Sequence, residues 1–134
     1  MSRRLADGKH PVFAASDRSG REPALEFLAG LQDGERTRMV RVFEKLAAGQ
    51  RLSREDFRKI RGKIWELKDH QRRMLCFSSA EGWFVTHGFT KKTNASTSES
   101  EISRAERIMQ EHLSHDASDG RTRTQARPTR ETKK

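Results

Sequence analysis

The 134-residue sequence contains no tyrosine, one cysteine and three prolines, and only 7% of it is aromatic. Each scarcity removes a class of protein. Cys76 pairs with nothing in its own chain, so no disulfide framework is available and a reducing compartment suits it. The five histidines are scattered and, with one cysteine, give no ligand pair at finger or zincin spacing; His112 and His115 stand three apart at the end of an expected helix. No metal or other cofactor is expected. No stretch approaches the ~20 apolar residues of a spanning helix, and no apolar run follows the cationic start MSRRLADGKH. A soluble, cytoplasmic protein with no membrane partner is the expectation, and the sequon Asn94-Ala95-Ser96 then carries no meaning.

What the sequence has is charge. Lys and Arg number 28 against 19 for Asp and Glu, a net charge of +9, which favours a polyanionic partner such as RNA, DNA, an acidic protein or an anionic membrane surface. Five of those nine charges fall from Gly120 onward. Residues 114–134 contain nothing apolar larger than alanine and cannot offset the entropy of ordering, so a disordered basic tail is expected there. The remaining length fits one domain with a modest core.

Residues 60–92 organise that domain. Read with a period of two, Ile60–Lys68, Arg72–Ser78 and Trp83–Phe89 are three strands, and their short polar links can join only antiparallel neighbours. Parity puts Trp65 and Leu67 opposite Ile64, Glu66 and Lys68. It sets Arg73, Leu75 and Phe77 against Met74 and Cys76, and places Trp83, Val85, His87 and Phe89 together. Residues 1–18 hold at most an edge strand near Pro11-Val12-Phe13. Ser19 and Glu22 have capping-box spacing ahead of Pro23, which starts a helix running to Leu31. Asp33-Gly34 interrupts it, and a second helix spans Glu35 to Ala48 before Gly49. Residues 50–59 read as a connector docked by Leu52 and Phe57, with nothing catalytic in it. Ser98 and Glu101 repeat the capping-box spacing ahead of a third helix ending near Leu113. The fold class is α+β: two N-terminal helices on a three- to four-stranded antiparallel sheet, with a C-terminal helix.

The wording of these elements is specific. GREPALEFLAGL, KIWELKDHQRRMLCF, WFVTHGFTKKT and SEISRAERI, in that order, resemble the phage-derived HigB-like branch of the RelE/ParE toxin superfamily over residues 19–113. The tetrapeptide Trp65–Lys68 and the HGFxKK pattern at His87–Lys92 are the most specific pieces. The resemblance implies a RelE-like toxin of a type II toxin–antitoxin module, an endoribonuclease that cuts mRNA on the ribosome. It implies a cognate antitoxin as partner, a helix-turn-helix protein through which operator DNA is also reached.

Such cleavage needs a group to accept the 2′-hydroxyl proton, cations to neutralise the phosphoryl oxygens and a donor for the leaving 5′-oxygen. The resemblance places Arg73 on the phosphate and Lys91 and Lys92 in substrate binding and proton transfer. Lys68 stands where arginine is more frequent, keeping the charge without the paired donors of a guanidinium. Arg72, His87, Arg61 and Lys63 are candidate RNA-binding residues. Ordinary readings stand beside these: Arg73 as a strand-end cation paired with Glu66 or Asp69, the lysines as a soluble edge, His87 as a core histidine. Glu66 and Asp69 are assigned to salt bridges. Many superfamily nucleases use a tyrosine to stack on a base or organise the attacking hydroxyl, and its absence leaves that role vacant or passes it to His112 or His115. The alternatives to a nuclease are a non-catalytic basic RNA- or DNA-binding module, or an inactive toxin homologue acting through protein contacts.

Overall fold

A computed structural model describes residues 3–91 and 96–123, with side chains described up to residue 114. Six strands and three helices follow the order β1 (Arg4–Ala6), β2 (Val12–Ala14), α1 (Pro23–Ala29), α2 (Asp33–Ala47), β3 (Phe57–Arg61), β4 (Ile64–Asp69), β5 (Arg72–Ser79), β6 (Gly82–Thr90) and α3 (Glu99–Arg123). The strands form one sheet in the order β1-β2-β6-β5-β4-β3. The fold is α+β, but the expected three- to four-stranded antiparallel sheet is a six-stranded mixed one, and a β1–β2 hairpin precedes the two helices.

Two local features account for the difference. The run expected as one strand from Ile60 is broken at Gly62, whose φ of 56° makes a two-residue turn with Lys63 and folds β3 back on β4. At the other side β2 pairs parallel with β6, Val12 opposite Trp83 and Ala14 opposite Val85. Pro11, lacking an N–H, fits the strand start, and its carbonyl accepts from Trp83 N at 2.9 Å. Gly82 (φ 143°) permits this approach, because a Cβ there would lie 2.1 Å from the Pro11 oxygen.

The sheet is the middle of three layers. On one face α1 and α2 bury Leu28, Met39, Phe43 and Leu46 against Leu67, Met74, Cys76 and Val85. On the other, α3 buries Ala105, Ile108 and Met109 against Ile64, Leu75, Phe77 and Phe84. Burial pushes the Cys76 thiol far up from its ordinary value, so it behaves as a small hydrophobe.

The first two helix starts depart from expectation. Ser19 bonds Asp17 Oδ1 at 2.8 Å rather than capping α1, which begins at Pro23 and ends at Ala29. The Asp33-Gly34 pair forms the first turn of α2 instead of a break, since Gln32 N–H donates to Glu35 Oε1 at 3.0 Å. Ser98 Oγ accepts from Glu101 N–H at 3.4 Å at the head of α3. The backbone helix then continues to Arg123, ten residues past Leu113. Residues 124–134 of the basic tail lie outside the described residues, as do Lys92 and Asn94.

Candidate nucleic-acid interface

On the α3 face, strand register aligns the charged residues in transverse rows. Arg58, Glu66, Leu75 and His87 are successive cross-strand partners on β3, β4, β5 and β6. One row further along stand Lys68, Arg73 and Phe89. Lys91 follows two residues after Phe89, its N–H donating to the Gln71 carbonyl at 2.7 Å. Four cations thus share the strand ends beyond the head of α3, gathered round one carboxylate.

That carboxylate is almost wholly buried, Glu66 being 2% exposed. Arg58 Nε lies 3.3 Å from Oε1, and the Thr97 hydroxyl donates to Oε2. Arg58 is about half exposed, so the pair faces solvent on its cationic side. Residues 50–59, expected to be a mere connector, therefore supply a member of the cluster. The signal was present in the alternation of Phe57, Arg58 and Lys59, with Phe57 turned to the opposite face onto Trp65.

Arg73 is 4% exposed. Its Nη1 donates to the carbonyls of His70 at 2.6 Å and Arg72 at 3.1 Å, a geometry that depends on His70 adopting a left-handed φ of 57° in the β4–β5 turn. Among the described residues no carboxylate forms an ion pair with it, so it is paired with neither Glu66 nor Asp69 directly. Desolvation pushes its guanidinium down from the ordinary arginine value, with Arg58 adding to the effect and Glu66 opposing it. Lys91 is lowered too, first by desolvation and then by Arg73, Arg58 and Lys68, with Glu66 opposing.

His87 is not where parity put it. Leu75 pairs with His87 while Cys76 pairs with Val85, so Thr86 is an extra residue in β6, a bulge that turns His87 and Phe89 to the α3 face. The side chain is 1% exposed, with Nε2 2.8 Å from Glu101 Oε1 and Nδ1 3.2 Å from Thr86 Oγ1. Glu101 is the acid whose capping-box role would have sent it back to Ser98. Burial lowers the His87 pKa; the Glu101 contact opposes this, and Arg104 and Arg107 reinforce it.

The other candidates separate. Arg61 is held by Glu99 at 2.8 Å and Glu106 at 3.1 Å, tying β3 to α3. Lys63 is exposed at the β3–β4 turn. Arg72 points to the opposite face, in ion pairs with Asp69 at 2.8 Å and Glu35 at 3.3 Å. His112 does come to the sheet beneath α3, but at its far end: its ring lies 4.6 Å from Phe84, and its Nδ1 accepts from Ser16 N–H at 3.0 Å. Eleven residues of helix, roughly 16 Å at 1.5 Å per residue, separate it from Glu101. His115 has no described side chain. Among the described residues no group of three or more His, Cys, Asp or Glu could hold a metal ion, and no helix is long and apolar enough to cross a membrane.

A family model described as phage-derived protein Gp49-like (DUF891) matches residues 26–110, more than half the chain. The chain belongs to the Gp49-like family. That family is RelE-like and toxin-like. The matched span runs from α1 through every strand of the charged face to the third turn of α3, so all four clustered cations lie inside it. No curated protein matches the chain.

Proposed function

We propose that this Gp49-like protein is the toxin of a type II toxin–antitoxin module, on the HigB-like branch, and that it acts as a metal-independent mRNA endonuclease on the ribosome. The observation that carries the reading is Arg73: a nearly buried guanidinium, with no carboxylate pair among the described residues, set among three further cations. Keeping such a charge out of water is costly unless an anion completes it, and a phosphodiester is the anion whose geometry a guanidinium matches.

The chemistry follows from the cluster. Lys91, whose pKa is lowered by desolvation and its cationic neighbours, takes the 2′-hydroxyl proton. The 2′-oxygen bonds to phosphorus, the bond to the 5′-oxygen breaks, and the Lys68 ammonium returns a proton to that oxygen. A 2′,3′-cyclic phosphate and a 5′-hydroxyl remain. Arg73 and Arg58 hold the phosphoryl charge as it grows, and Lys92, three residues past Phe89, adds a substrate contact. A cytoplasmic helix-turn-helix antitoxin would hold the toxin inactive and carry the pair to operator DNA.

Specific observations favour a second reading, a non-catalytic RNA-binding module. His87 is committed to Glu101, and Arg73 spends Nη1 on turn carbonyls. Induced expression distinguishes the two readings. A nuclease arrests growth and creates new mRNA 5′ ends that Lys91→Ala abolishes, whereas a binding module creates none.

A further inference from the structure

Arg72, expected from the sequence to meet RNA, lies instead on the α2 face, and the chemistry of the cationic cluster makes no use of it. It is 7% exposed. Its Nη2 donates to Asp69 Oδ2 at 2.8 Å and its Nη1 to Glu35 Oε2 at 3.3 Å, while its Nε is buried with no hydrogen-bond partner among the described residues. A guanidinium kept out of water with one N–H unsatisfied costs stability that a well-packed apolar residue would not. Arg38 adds a further contact to Asp69 Oδ2, at 3.4 Å. Two residues of α2, Glu35 and Arg38, thus grip the two residues that flank the β4–β5 turn.

That turn serves the cluster on the other side of the sheet. Asp69 and Arg72 are its closing cross-strand pair, with His70 and Gln71 between them. The carbonyls of His70 and Arg72 accept from Arg73 Nη1 at 2.6 and 3.1 Å, and the Gln71 carbonyl accepts from Lys91 N–H at 2.7 Å. Three successive carbonyls therefore hold two of the clustered cations. His70 has a φ of 57°, a left-handed backbone that a residue with a side chain keeps only where its surroundings fix it. His70 and Gln71 are themselves exposed, so the fixing comes from the ion pairs of Asp69 and Arg72.

We propose that Arg72 is a positioning residue: clamped by Asp69 and Glu35, it sets the β4–β5 turn whose carbonyls aim the Arg73 guanidinium and anchor Lys91. The inference rests on the nuclease reading for its effect on rate, while the aiming of Arg73 is a property of the free protein. It ties the geometry of the cluster to α2, on the far side of the sheet.

The test uses the full chain and reads the Arg73 guanidinium directly by NMR. With Nη1 held by two carbonyls its rotation is slow, so wild type should give separate Nη proton signals, assigned by their loss in Arg73→Met. In Arg72→Met those signals should merge while the melt stays cooperative. On ribosome-bound mRNA its kcat should fall roughly 10²-fold, the cost of a small misplacement of a reacting group, with KM unchanged. Merged signals already in wild type, separate signals in folded Arg72→Met, or an unchanged kcat where they have merged, each overturn the positioning role. Absence of cleavage by wild type sinks the nuclease reading instead, and the signals alone then decide whether the clamp aims Arg73. Should Arg72→Met fail to fold, Glu35→Gln takes its place: glutamine still accepts from Gln32 N–H at the helix start but presents no carboxylate to Arg72. The same merging of signals and fall in kcat are expected, and separate signals there overturn the proposal.

Discussion

Arg58 and Glu66 face one another across β3 and β4, a half-exposed guanidinium 3.3 Å from a carboxylate that is 2% exposed. Glu66 is the negative charge that opposes the lowering of both Lys91 and Arg73. Glu66→Gln keeps the shape and removes that charge, so Lys91 falls further and the amine form appears at lower pH. The ascending, low-pH limb of the pH–rate profile for RNA cleavage, set by deprotonation of the base, should move to lower pH in Glu66→Gln. An unmoved limb would remove Lys91 from the role of base.

Arg73 gives a sharper separation of stability from activity. Replacing a buried charge that lacks an ion pair with an apolar residue of similar length removes its desolvation penalty, which offsets the two carbonyl hydrogen bonds given up, while losing a donor to the phosphoryl oxygens costs roughly 10²–10³-fold in rate. Arg73→Met is expected to melt at or above the wild-type temperature with cleavage reduced by that factor. Parallel loss of both would mean that Arg73 only secures the His70 turn.

Gly88 tests the interlock behind the charged face. Gly88→Ala forces a methyl group against the Phe27 ring and the Met74 sulfur, an overpacking that costs about 1–3 kcal/mol. Denaturant titration should show a lower midpoint with an unchanged slope. A variant as stable as wild type would show that α1 yields easily.

His87 makes stability depend on pH. Its folded pKa is lowered from the ordinary 6.5, chiefly by desolvation. The unfolded chain therefore takes up the proton first as pH falls below about 6.5, and stability drops on acidification through that window. The groups facing the ring are Thr86 on its own strand and Glu101, Arg104 and Arg107 on α3. Melting temperatures between pH 7.5 and 5 should fall less steeply in His87→Gln than in wild type, and identical slopes would contradict the assignment.

The strands that carry the charged face were legible because their alternation is local: Arg73, Leu75 and Phe77 lie on one side of β5 and Met74 and Cys76 on the other, as period two requires. What escaped was either short or non-local. Three-residue strands such as Val12–Ala14 hold too little sequence to show a period, and their parallel pairing with residues 83–85 joins positions some seventy apart. His87 was misplaced because one extra residue, Thr86, inverts parity for everything after it, and a bulge leaves no signal in an apolar run. Arg58 was missed because the Gly62 turn was read through as strand. The gathering of Arg73, Lys68 and Lys91 followed the family wording, and the buried Glu66 at its centre did not.

The central claim is that this face cleaves RNA by attack of the 2′-oxygen, and the most direct measurement is the chemistry of the product ends. A defined mRNA translated in a cell extract is incubated with wild type or with folded Arg73→Met, and its fragments are mapped and their termini typed. The account predicts new fragments bearing 2′,3′-cyclic phosphate and 5′-hydroxyl ends with wild type and at least a hundredfold fewer with Arg73→Met. Fragments with 5′-phosphate ends, or intact mRNA in both reactions, would contradict it.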